Sequence, residues 1–184
     1  MDHDILASLI EWVRSRHFGK YRGVVVGVDD ETGRGRIKVK VPAVLSTLEV
    51  WAMPCVPYAG EGVGFWSLPA EGSGVWVEFE GGDPSYPIWT GCFWADGEAP
   101  EEGDPAVRTW RTGEVAVRLD EDNDELALRN SGAEAVFSED ISATAGEAKL
   151  TVGSSGVVSE KGGNKIEVGD SSVRINNGAL EVLK

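Results

Sequence analysis

The chain of 184 residues is poor in the groups on which most catalysis rests. It has two histidines, His3 and His17, and two cysteines, Cys55 and Cys92. Two cysteines 37 positions apart make neither a disulfide framework nor a CxxC site, so the expectation is two free, buried thiols. No Ser-His-Asp or Cys-His arrangement is evident, and the carboxylates are so many that no glycosidase-like pair stands out. No apolar run approaches 18 residues, which excludes a hydrophobic membrane-spanning helix. The start, Met1-Asp2-His3-Asp4, lacks the basic region of a signal peptide, so folding in the cytosol is expected. Basic residues are scarce: 17 Lys and Arg against 31 Asp and Glu, net −14. A chain this acidic is a poor binder of phosphate backbones. The Gly60-Glu61-Gly62-Val63-Gly64 run lacks the lysine and strand–helix context of a phosphate loop.

What is present is unevenly placed. All seven Trp lie at or before Trp110, after which the only aromatic residue is Phe137. The acidic Gly/Pro-rich stretch 96–105 reads as an exposed linker between a barrel domain, 20–95, and a second domain, 106–184. The 19 residues ahead of the barrel carry Ile5, Leu6, Leu9, Ile10 and Val13 at helical spacing, with Gly19 beyond the helix end. This amphipathic helix either packs on its own domain or docks on another protein.

Strand signals follow. Tyr21–Val28 ends in the turn Asp29-Asp30-Glu31-Thr32-Gly33. Arg36, Lys38 and Lys40 alternate with Ile37, Val39 and Val41, and Pro42 closes that strand. Val50–Val56 contains Trp51 and Cys55, both suited to a strand core. Gly74–Glu80 alternates again, Gly81-Gly82-Asp83-Pro84 turns, and Tyr86–Phe93 is a last strand. Five short strands in so few residues suit a small closed barrel of OB type. The basic row Arg34, Arg36, Lys38 and Lys40 leaves open a nucleic-acid or oligosaccharide binding module with a flexible acidic tail.

Beyond the linker the pattern is a repeat. Lys149–Ser155 and Lys165–Ser171 lie 16 residues apart, and Glu125–Gly132 lies 24 before the first, all multiples of eight. Each octad has two alternating apolar residues and then a turn, while Val117/Leu119 and Val173/Ile175 sit one residue off the frame. Strands this short, with such small apolar side chains, do not hold a fold alone. They fit the narrow axis of a prism built by several chains, which also leaves few open edges. Asp120, Asp122 and Asp124 alternate as in a calcium loop, but Glu125 and Ser131 stand where an EF-hand requires Gly and Glu, so an exposed acidic turn is expected.

Residues 20–95 resemble the OB domain of contractile-tail spike proteins, the family of phage baseplate assembly protein V and the valine-glycine repeat proteins of type VI secretion. The resemblance is carried by Gly35-Arg36-Ile37-Lys38-Val39-Lys40-Val41-Pro42, Trp51-Ala52, Pro57-Tyr58-Ala59-Gly60 and Gly64-Phe65-Trp66-Ser67-Leu68-Pro69, and is densest over 71–87, ending at Gly91. The octads resemble the family's trimeric needle. The resemblance implies an all-β chain: a short helix, an OB-fold barrel and an intertwined trimeric β-helix on the order of 40 Å long at ordinary strand spacing. It implies a homotrimeric spike, not an enzyme and without cofactor or bound metal, assembled in the cytoplasm into a phage tail or injection particle. Its partners would be other baseplate components, a separate hub docked through Ile5, Leu6, Leu9, Ile10 and Val13, and, transiently, the target membrane. No nucleic acid is expected as a partner. No lysozyme domain stands between barrel and needle, so no muramidase activity is expected. Neither histidine lies near the C-terminus, so the iron-binding His-x-His tip of some relatives is not expected. A separate tip protein of the PAAR-repeat type is expected on the apolar end at Leu180, Val182, Leu183 and Lys184.

Overall fold

A computed structural model describes residues 2–100 and 104–184. The chain divides into two compact units, Met1–Glu98 and Ala99–Lys184.

In the first unit helix α1 (Asp2–Arg14) precedes five barrel strands: β1 (Tyr21–Gly27), β2 (Ile37–Lys40), β3 (Glu49–Pro54), β6 (Gly74–Phe79) and β7 (Pro87–Phe93). A helical turn, α2 (Pro42–Leu45), separates β2 from β3, and a small hairpin, β4 (Ala59–Gly60) and β5 (Val63–Gly64), separates β3 from β6. The five strands close in the order β1-β2-β3-β7-β6, with β6 returning to β1 and β3 running parallel to β7. This is a closed barrel of OB type.

The alternation in the sequence sets its inside. Ile37, Val39 and Val41 are fully buried with Val25, Ala52, Val75 and Val77, and Phe79 and Trp89 complete the core. Arg36, Lys38 and Lys40 lie between them on the outer side. On β3 the expectation fails. The core residue is Ala52, because register sets it opposite Ile37, while Trp51 stands opposite Lys38 and points outward. There the Arg36 guanidinium lies 5.4 Å from the centre of the Trp51 ring. The thiols are likewise not buried: Cys55, one residue past the end of β3, and Cys92 are both exposed.

Two turns fix the barrel's ends. After β1, the Asp30 carboxylate accepts hydrogen bonds from Thr32 N and Oγ1, Arg34 N, and Arg36 N, Nε and Nη2. At the other turn Gly81 and Gly82 have φ of +57° and +76°. A Cβ at Gly82 would stand 2.9 Å from the Phe18 ring, so this turn requires glycine twice over, by conformation and by space. His17 N donates to Gly82 O (2.8 Å) and Arg16 Nη1 to Asp83 (2.8 Å), which ties the chain after α1 to the barrel.

The second unit is one antiparallel sheet of ten strands laid down in sequence order. They are β8 (Val107–Thr112), β9 (Val115–Asp120), β10 (Glu125–Arg129), β11 (Ala133–Phe137), β12 (Ile141–Ala145), β13 (Ala148–Gly153), β14 (Gly156–Lys161), β15 (Asn164–Val168), β16 (Ser172–Ile175) and β17 (Leu180–Leu183). From Glu125 onward each octad supplies one strand. Every strand pairs with the next in the chain, so hydrogen bonding does not require another copy between them.

Candidate functional site

The register of the C-terminal sheet sorts its side chains into rows. One row crosses all ten strands: Trp110, Val117, Leu128, Ala135, Ala143, Leu150, Ser159, Ile166, Ile175 and Leu180, each directly opposite the next. Beside it runs Leu119, Leu126, Phe137, Ile141, Val152, Val157, Val168, Val173 and Val182. Opposed residues share a face, so both rows lie on one side of the sheet. Off-frame Val117/Leu119 and Val173/Ile175 join it, because a meander reflects its pattern from strand to strand and the loops absorb a one-residue slip.

The other side is ionic. Arg118 pairs with Asp120 (2.9 Å), Arg129 with Glu134 and Glu125, Lys165 with Glu167 (2.8 Å) and Arg174 with Glu181 (2.7 Å). Apart from Arg118–Asp120, whose carboxylate is buried, these are partly or fully exposed pairs of the kind that contribute at most about 1 kcal/mol each. They mark the side that faces water rather than the force that holds the unit together. The acidic run closes on itself: Asp120 accepts from Asn123 N and Nδ2 and from Arg118, and these contacts hold its carboxyl below the usual range. Among the described residues no cluster of three or more His, Cys, Asp or Glu is placed to hold a metal.

The apolar side has no cover. Fourteen of its large side chains are 36–60% exposed, including Trp110, Phe137, Ile166 and Val182. Among the described residues of this unit the only buried apolar side chains are two alanines, Ala116 and Ala127, and both lie on the ionic side. The unit therefore has no hydrophobic core of its own. The exposed apolar area is on the order of 1,000 Å², roughly twice the largest patch usual on a monomer. The sheet curves here around a hollow of about 750 Å³ whose lining includes Ala133, Ala135, Ala143, Ala145 and Leu150.

Three further surfaces bear on assembly. Helix α1 keeps its apolar side in the open: Ile5, Leu6, Leu9, Ile10 and Val13 are 43–64% exposed. Packing of this helix on its own barrel, one of the two sequence readings, is not what the fold contains. Trp12 joins the same exposed set and carries the Arg16 guanidinium 5.6 Å from its ring centre. Leu180 and Val182 end the apolar face, Leu183 points to the opposite side, and Lys184 N donates to Ser171 O. The hairpin β4–β5 was not legible as a surface in the sequence. It stands over a cavity of about 520 Å³ lined by Pro54, Val56, Phe65, Leu68 and Trp89 among others, with Trp66 66% exposed. The clue was the glycine-rich run 60–64 between aromatic residues.

The basic row on β2 is neutralised within the barrel. Arg36 is held by Asp30 (2.7 Å), and Lys38 and Lys40 share Glu49 (3.3 and 3.0 Å), whose carboxyl they push down. That leaves little free positive charge for a phosphate backbone. His17 packs edge-on against Tyr21 with ring centres 6.0 Å apart, a structural contact. Among the described residues no helix is long and apolar enough to cross a membrane.

Compared with curated proteins, the chain matches none. Compared with protein families, residues 21–94, the barrel from the first residue of β1 to just past β7, match the type VI secretion system/phage-baseplate injector OB domain. The barrel order, the strand–Gly-Asp-Pro–strand signature and this match agree: residues 21–94 form an OB domain similar to that of type VI secretion and phage-baseplate injectors, which supports a structural role in such a machine.

Proposed function

We propose that three copies of this chain join through the apolar sides of their C-terminal sheets into a closed prism that forms the central spike of a contractile injection machine. The carrying observation is the uncovered apolar side of a ten-stranded sheet that has no core of its own. Three such sides turned inward bury each other, and the ionic sides face water. A continuous hydrogen-bonded ladder resists bending, which is the property a membrane-puncturing element needs. In this reading the spike links a separate hub, gripped by Ile5, Leu6, Leu9, Ile10 and Val13 of α1, to a separate conical tip of the PAAR type seated on Leu180, Val182, Leu183 and Lys184. The spike is driven through the target membrane on sheath contraction and performs no catalysis. The domain limits follow: helix 1–19, barrel 20–95, linker 96–105, spike 106–184.

The test is the native mass of the purified protein by light scattering, across a hundredfold dilution. About three chain masses, unchanged on dilution, is the expected result. A folded monomer overturns the reading. Clearing of peptidoglycan by the pure protein overturns the absence of catalysis.

A further inference from the structure

The hairpin loops of the ten-stranded sheet form two lateral margins of different charge. The loops at 121–124, 138–140, 154–155 and 169–171 lie on one margin and hold Glu121, Asp122, Asp124, Glu139, Asp140 and Asp170, against two cations at the strand ends there, Arg108, which pairs with Glu121, and Lys184, beside Ser171. The opposite margin is mixed and close to neutral: Arg111, Arg129, Lys149, Lys161 and Lys165 stand there with Glu114, Glu134, Glu147 and Glu160. Arg129 and Lys165 are each paired with a carboxylate of their own chain, and Lys149 lies on the ionic side across from Glu160.

Lys161 differs from all three. Its register partners are Ala148 and Asn164, which puts it on the apolar side of the sheet, at the rim. The loop beside it is Gly162-Gly163; the Glu147 carboxylate of the same chain lies 4.0 Å from where a Cβ at Gly162 would stand, but makes no ion pair with Lys161. Among the described residues it forms no ion pair and no side-chain hydrogen bond within its chain. When the apolar side is covered, an ammonium in that place must find a carboxylate or lose its hydration uncompensated.

Geometry limits where that carboxylate is. Copies related by rotation about the direction in which the strands stack all point the same way, and each acidic margin then meets the next copy's mixed margin, where Lys161 stands. An antiparallel pairing sets acidic margin against acidic margin, which like-charge repulsion opposes. We infer that Lys161 is an intersubunit contact. Resting on the assembly proposed above, its ammonium pairs with a carboxylate of the loops at 138–140 or 169–171 in a second copy of this chain, and so holds the copies parallel and in cyclic order.

Carbodiimide coupling of the full-length protein, which joins an amine to a carboxylate without a spacer, tests this directly. Covalent dimer and trimer bands are excised and their linked peptides mapped. The expected links join Lys161 to Glu139, Asp140 or Asp170. In Lys161→Met these links vanish while the native mass stays at about three chain masses. Lys161→Glu, which sets like charges together, raises the dissociation constant roughly tenfold or more. A wild-type trimer whose covalent bands contain no Lys161 link, or whose links join Lys161 to the barrel, overturns the inference and leaves the trimer standing. A monomeric wild type overturns the assembly and this contact with it.

Discussion

Asp30 shows how much a single carboxylate can organise. Its side chain is 3% exposed and receives six hydrogen bonds from a loop that would otherwise have no fixed course. The Arg36 guanidinium, with help from Thr32, holds this carboxyl well below the usual carboxylate range. A folded value below the unfolded one stabilises the fold at pH above the unfolded value of about 3.9, and that contribution is lost as pH falls. Thermal melts from pH 7 to pH 3 should therefore show the wild type losing stability on the acid side. Asp30→Asn should melt several degrees lower at pH 7 and show a flatter acid limb; equal slopes would mean that Asp30 is not the group responsible. The sequence marks residues 29–33 as a turn but not Asp30 as its anchor, because the donors come from positions up to six residues away. Trp51 and Ala52 make the same point for the core. Both fit a strand, and only the pairing of Ala52 with Ile37 decides which one is inside.

At the scale of elements, strand and helix expose their apolar sides for different reasons. Helix α1 is tied to the barrel just after its end, through Arg16 and His17, and its apolar side stays largely open to solvent. Leu9→Asp should leave the barrel's melting temperature and the native mass unchanged while abolishing binding of the separate hub protein proposed above; a fall in melting temperature would show that the side is covered within the chain. The sheet strands are a stronger case, since they have no other core. Leu150→Asp places a charge in the row that crosses all ten strands and should cost on the order of 3 kcal/mol or more in assembly, read as dissociation to monomer at micromolar concentration. Thr151→Asp, one residue on and facing the ionic side, should change it by less than about 0.5 kcal/mol. Equal effects from the two would refute the sidedness of the sheet. The octads were legible because their apolar residues alternate with period two and their loops recur every eight residues. The two rows were not, since they depend on which strand pairs with which.

For the whole molecule, the division into two units and the charge of −14 set the behaviour. The aromatic barrel buries its own core, and the C-terminal unit buries none. Residues 94–100 are exposed at the junction. Limited digestion with a protease that cuts after glutamate should cut first at or near Glu98 and release two fragments. The C-terminal fragment should keep a mass of three copies on a sizing column with light scattering. A monomeric fragment from a trimeric parent would assign the contacts between copies to the barrel instead.

The sequence by itself determined the barrel's alternation, the change of character at the linker and the one-strand octad, because each depends on neighbours along the chain. It also determined that the second half holds too little bulk for a core of its own. Tertiary structure decided the rest. Register brought Ala52 rather than Trp51 inside, gathered off-frame valines and leucines into two continuous rows, tied up the basic row with Asp30 and Glu49, and left α1 without cover. These outcomes depend on pairing between strands distant in sequence, and a one-residue change in register reverses the side on which every residue of a strand lies.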